Sequence, residues 1–138
     1  NPKKKLGNQS IHIDGFPRNN PNERYAGIVA FIFLDDTKIE NGAMRLIPKT
    51  HTNLGWPDDH INIEKNHPDE IRVVVNAGTI VVANLNLWHA GAKNLNGKDL
   101  ESHIYAHRRL THPNEMGALF KALSLFPKQS SCPPGFER

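Results

Sequence analysis

Apolar residues in this chain come in short runs, most of them too short and too β-branched for helices. "YAGIVAFIFLDD" (25–36) is nearly all apolar and rich in β-branched and aromatic residues, which predicts a buried strand. "AMRLIP" (43–48) predicts a short strand closed by proline. "IRVVVNAGTIVVANLNLWHAG" (71–91) holds two strand-like runs hinged on "NAG", the second ending at His89. On such an alternating strand, His89 shares its face with Leu87, Leu85, Ala83 and Val81, so it closes an apolar row at the mouth of a cavity. The Asn-Gly of "NLNGKD" (94–99) signals a hairpin into a strand over "LESHIYAHRRL" (100–110). Near the start, "NQSIHIDGFP" (8–17) read as a strand points His12 and Asp14 to one side. "RNNPNER" (18–24) reads as a polar loop and "TKIENG" (37–42) as a turn. One short amphipathic helix is predicted near 114–126, ahead of a Pro-rich tail. The stretch 49–70 has little periodicity; a loop of that length tends to be functional, which makes it, with Trp56, a candidate lid over a substrate.

These elements predict an all-β sandwich or small barrel, and 138 residues suit a single domain spanning 1–138. The chain has 38% hydrophobic and 22% charged residues, enough for one core with polar loops. No apolar run reaches the length of a membrane span, so no membrane association is expected. "NPKKKLGNQS" lacks the apolar stretch of a signal peptide. The single Cys132 excludes an internal disulfide and fits a reducing, cytoplasmic setting. A net charge of +3 hints at nucleic acid, but the basic residues are scattered and only "KKK" (3–5) and "HRR" (107–109) cluster, without aromatic platforms. No nucleic-acid partner is therefore expected. The eight histidines change the picture more, because imidazole is the commonest metal ligand.

Taken singly, His12, Asp14 and His89 have ordinary explanations: a buried histidine finds a hydrogen bond, and Asp14 before Gly15 can close a turn. Together they supply two imidazoles and one carboxylate. That donor set is the facial triad of mononuclear non-haem iron oxygenases, which leaves coordination positions open for a co-substrate and dioxygen. An H-x-D on one strand places two ligands side by side, and the second histidine must come from another strand. Here H-x-D is early, His89 is late, and the chain between them is strand-rich.

Three segments in order sharpen this reading. "IHID" (11–14) is followed by "FLDDTKIENGAMRLIPKTHTNLG" (33–55), with an acidic pair, an x-Asn-Gly turn and a Pro-x-Thr-His ending. "AGTIVVANLNLWHAGAKNLNG" (77–97) then carries an apolar run, His89 and, five residues on, Asn94. Across roughly residues 8–110 the chain resembles the phytanoyl-CoA dioxygenase family of Fe(II)- and 2-oxoglutarate-dependent oxygenases. The resemblance implies a double-stranded β-helix (jelly-roll, cupin-like) core and makes His12, Asp14 and His89 the catalytic iron ligands. Asp14 stands where a halogenase has Ala or Gly, so the implied reaction is hydroxylation of a small organic substrate. Phe31 matches an aromatic position beside the co-substrate, and Gly91 a position that often contacts the keto acid. His51 matches a histidine that is usually structural and stays outside the ligand set.

The family anchors the far carboxylate of 2-oxoglutarate with an arginine about a dozen residues after the distal histidine; that position falls on or near Glu101, Ser102 or His103. Lys98 and His103 are the candidate replacements for co-substrate binding, with Arg45, Arg72 and Arg108 as more distant ones. Family members also carry a helical region before H-x-D, whereas eleven residues precede His12, so a trimmed core is one expectation. An open sheet edge would then make a homodimer plausible. The competing readings are a cupin-like metal-binding module that has lost 2-oxoglutarate binding, and a structural β-sandwich with incidental histidines.

Overall fold

The computed structural model describes residues 7–23, 27–96 and 103–109, the last as backbone only. The strands predicted at 25–36, 43–48, 71–91 and 100–110 reappear in trimmed form, whereas the one expected at 8–17 is reduced to an isolated bridge at His12; the helix expected near 114–126 lies outside the described residues, as do Lys98 and Glu101. Strands β1 (Gly27–Phe33), β2 (Met44–Leu46), β3 (Ile71–Val73), β4 (Ile80–Asn84), β5 (His89–Ala90) and β6 (His103–Arg109) form two antiparallel sheets. One sheet runs β4-β1-β6 and the other β3-β2-β5.

β1 is the central strand of its sheet, which is why "GIVAFIF" is apolar almost throughout. Val29, Phe31 and Phe33 alternate onto its inner face and meet Met44 and Leu46 of β2 and Val73 of β3. The core therefore sits between the sheets, as in a double-stranded β-helix. A second apolar cluster joins Ile11, Ile13, Ile47, Trp88 and Ala90, with Ile61 and Ile63 packed against it. It lies on the other face of the β2–β5 ladder: Met44 and Leu46 point into the first cluster, and Ile47 and Ala90 into the second.

The turn "ENG" closes with Gly42 at φ +93°, where a Cβ would meet the Ala92 carbonyl at 2.9 Å. Only glycine takes this corner without strain. By contrast Lys49, in "IPKTH", holds a left-handed φ of 69° with a side chain attached.

The predicted continuous strand from 80 to His89 is broken. β4 ends at Asn84, whose side-chain oxygen accepts from the Asn86 amide while its carbonyl accepts from the Leu87 amide. Asparagine side chains compete with the ladder in this way, and the chain turns. It leaves the β1 sheet at Asn84 and enters the β2 sheet at His89. Leu85 and Leu87 nevertheless pack on the same core as Val81 and Ala83, as the alternation predicted.

The 49–70 stretch contains two 3₁₀ turns, Thr50–Thr52 and Pro57–Asp59, and no strand. No described helix is long and apolar enough to cross a membrane.

Candidate metal centre

Segment 8–17 forms no strand. His12 alone pairs, as an isolated antiparallel bridge to His89. The two residues exchange both backbone hydrogen bonds, His12 N–H to the His89 carbonyl at 2.9 Å and the reverse at 3.0 Å. Directly opposed residues of an antiparallel pair send their side chains to the same side. The imidazoles therefore meet, with ring centroids 4.5 Å apart. Asp14, two residues on, returns to that side. Its amide and that of Gly15 both donate to the Leu85 carbonyl, at 3.0 and 3.1 Å, so the Asp14–Gly15 corner is docked on the turn that follows β4. Gly15 is needed there because a Cβ would run into the buried Asn86 side chain.

One nitrogen from His12, one from His89 and a carboxylate oxygen of Asp14 lie within 4.8 Å of one another. The Nε2 of His12 is 3.8 Å from Asp14 Oδ1, and that of His89 is 3.3 Å from Oδ2. Two ligands held at ~2.1 Å from one ion and at right angles to each other are about 3 Å apart, so a small inward shift brings the set to coordination distance.

The hydrogen bonds fix which nitrogen is free. His12 Nδ1 lies 2.9 Å from the Ser10 carbonyl, and His89 Nδ1 lies 2.9 Å from the Leu87 carbonyl. A carbonyl only accepts, so each Nδ1 carries a proton, and in the neutral ring each Nε2 presents a lone pair. Both histidines thus use the same local device, the carbonyl two residues upstream. The His12 pKa is lowered, first by burial, which penalises the charged ring, and also by the facing His89; the Ser10 carbonyl and Asp14 oppose the shift. Two lone pairs and a carboxylate aimed at one point repel unless a cation shares them, and a divalent transition metal suits two imidazoles and a carboxylate. The residues fit such an ion.

Phe31, fully buried, meets the His89 ring edge-on at a centroid distance of 5.4 Å. It covers one side of the His89 ring. Gly91 has its amide on Gln9 Oε1 and its carbonyl on the Gln9 amide, at 2.9 Å each. His103 is the register partner of Phe33, and Arg108 that of Ile28.

Arg45 and Arg72, two of the distant anchor candidates, turn away. Leu46 pairs with His89, whereas Arg45 pairs with Ala90 and with Arg72, on the opposite parity of the sheet. Arg45 donates to Asn66, Glu70 and the Gln9 carbonyl, and Arg72 donates to Glu70. His51 sits in the first 3₁₀ turn and is not one of the clustered donors. The sequence reading missed Ser10 and Leu87, whose carbonyls orient the rings. Backbone carbonyls leave no mark on residue identity.

Comparisons with known proteins agree with this architecture. The model of the phytanoyl-CoA dioxygenase (PhyH) family matches residues 2–100. Among solved structures, the chain is similar to EvdO2 from Micromonospora carbonacea var. aurantiaca complexed with 2-oxoglutarate. The TM-score is 0.52 at 16% identity, over 83% of this chain and 53% of that one. It is also similar to the non-heme alpha ketoglutarate dependent carbocyclase SnoK from nogalamycin biosynthesis. There the TM-score is 0.48 at 23% identity, over 76% of this chain and 43% of that one. The chain therefore spans about half the length of the structures it matches. No curated protein matches it. The family match covers most of the chain and takes in both halves of the His12–Asp14–His89 cluster, so this chain belongs to the phytanoyl-CoA dioxygenase family.

Proposed function

We propose that this chain forms the catalytic core of an Fe(II)- and 2-oxoglutarate-dependent oxygenase that hydroxylates a small organic substrate. The observation that carries the reading is the convergence of His12, Asp14 and His89, with both Nδ1 atoms committed to carbonyls and both Nε2 atoms turned to the carboxylate. Bound Fe(II) would couple the conversion of 2-oxoglutarate and dioxygen, to succinate and carbon dioxide, to insertion of one oxygen atom into a substrate C–H bond.

The chain's own residues prepare that chemistry. His12 and His89 bind as neutral ligands, and burial around His12 favours the unprotonated Nε2. Asp14 supplies the single negative charge, which leaves a divalent ion with net positive charge for an anionic keto acid. Phe31 closes the inner side of His89 and excludes water from behind it. His103 in β6 and Lys98 are the proposed contacts for the far carboxylate of 2-oxoglutarate, and Phe31 and Gly91 are proposed to line its site.

Titration with Fe(II) and then 2-oxoglutarate under anaerobic conditions tests this. A weak visible charge-transfer band that needs both components, and is lost in Asp14→Ala, is the expected result. Fe(II) binding with no response to 2-oxoglutarate would instead support a second reading, a cupin-like metal module without turnover. One observation favours that alternative: Arg45 and Arg72 are committed to Glu70 on the far face of the sheet, and the arginine position of the family falls near Glu101. No metal binding at all would remove both readings.

A further inference from the structure

His12 belongs to no strand, so something other than a ladder must hold it. On one side the segment before it is tied to residues 91–93, through Gln9 with Gly91 and through Asn8 Oδ1 with the Lys93 amide. On the other side lies the 61–70 stretch. The Ile11 amide donates to the Ile63 carbonyl at 3.0 Å, Ser10 Oγ donates to Glu64 Oε1 at 2.6 Å, and Asn8 Nδ2 donates to Asn66 Oδ1 at 3.0 Å. This part of the expected lid is a strap across the segment that carries His12.

The strap is anchored by a buried ion pair. Arg45 is 1% exposed, in the middle of β2. Its Nη1 reaches Asn66 Oδ1 at 3.0 Å and Glu70 Oε2 at 3.3 Å, and its Nη2 donates to the Gln9 carbonyl at 3.1 Å. Glu70 is held from its other oxygen by Arg72 at 2.9 Å and caps the His67 amide. One guanidinium therefore grips both ends of the strap's contact: the loop through Asn66 and Glu70, and the ligand-bearing segment through Gln9. The planar fork of arginine allows this two-way hold, and a lysine ammonium does not reproduce it.

The grip bears directly on the ligand. The Ser10 carbonyl that orients the His12 ring lies between the Gln9 carbonyl, fixed by Arg45, and the Ile11 amide, fixed by Ile63. His89 needs none of this, since β2 and Phe31 hold it. We infer that Arg45 is a positioning residue for the metal site, acting through Gln9 and Ser10 on the ring of His12. The inference rests on the metal-site reading above.

The test uses Mn(II) alone as the metal probe, together with nitrogen NMR of the two imidazoles in the metal-free chain. Arg45→Lys is expected to weaken Mn(II) binding about tenfold, the scale of losses when outer partners of a ligand are removed. It should also shift the His12 ring signals toward mixed tautomers while leaving those of His89 unchanged. Ser10→Ala, which removes a bond on the exposed side, should act in the same direction by a few-fold. Ser10→Ala becomes the deciding variant if Arg45→Lys does not fold. Unchanged Mn(II) affinity and unchanged His12 signals in a folded variant would overturn the inference, as would equal changes at His12 and His89. Wild-type protein that binds no Mn(II) would instead remove the metal-site reading, and the ring signals would still decide whether Arg45 orients His12.

Discussion

The two halves of the candidate metal centre are built by different means. His89 is 6% exposed, paired on β2 through Leu46, and backed by the fully buried Phe31 in the largest apolar cluster. His12 has a half-exposed ring and a single bridge, and depends on a strap of side-chain hydrogen bonds and one buried ion pair. The distal half is held by nondirectional burial, which tolerates small local changes. The proximal half adds to the burial of Ile11 and Ile13 in the second cluster a set of polar contacts, each of which depends on geometry.

Several substitutions can break the contrast. Phe31→Ala should have the largest effect, a loss of about 3–5 kcal/mol in denaturant unfolding, the usual cost of deleting a buried phenyl ring. Ile63→Ala, at a half-buried strap residue packed against the second cluster, should fall at about 2 kcal/mol, the low end for such truncations. Equal losses at the two sites would show that the halves share one core.

Metal comes next. At Mn(II) a hundredfold above its dissociation constant, the wild-type chain should gain about 2.7 kcal/mol of stability. That gain should vanish in both His12→Ala and His89→Ala. Without metal, the two variants should differ: His12→Ala should unfold close to wild type, whereas His89→Ala should be destabilised by the lost packing on Phe31. Thermal melts with and without Mn(II) read both effects.

A smaller effect should follow pH. Because burial lowers the His12 pKa below its ordinary 6.5, the metal-free unfolded chain binds a proton that the folded chain refuses. The His12 contribution is therefore fully present above pH 6.5 and is lost as pH falls toward the lowered folded value. The stability difference between wild type and His12→Ala should move against the wild type on acidification. Movement in its favour would contradict the assigned shift.

The smallest change concerns Lys49, which holds φ at 69°, a left-handed value that glycine adopts without penalty. Lys49→Gly should relieve the left-handed penalty of ~1–2 kcal/mol, less the ~0.5–1 kcal/mol that glycine's unfolded freedom costs. A net gain of about 0.5–1 kcal/mol in the unfolding midpoint is expected, with no change in Mn(II) affinity.

Much of this molecule was legible in the order of its residues. The apolar density of "GIVAFIF" marks the central strand, because a strand with neighbours on both sides has little wet surface to serve. The H-x-D of "IHID" and the histidine closing "NLNLWH" marked the three donors, because period-two alternation fixes which side chains share a face. Alternation does not say which sheet a segment joins. Asn84 and Asn86 turn the chain between sheets by a local side-chain bond, so His89 reaches His12 across a bridge and not at the end of one long strand. Parity along β2 turned Arg45 away from the candidate metal centre, where sequence left it a candidate anchor; its pairing with Ala90 and its bonds to Asn66 and Glu70 show that it faces the strap. The sequence by itself determined the chemistry available: two imidazoles, one carboxylate and an apolar strand to bury them against. Tertiary structure decided the direction of each donor, because that depends on carbonyls of Ser10, Leu87 and Leu85 whose positions no side chain encodes.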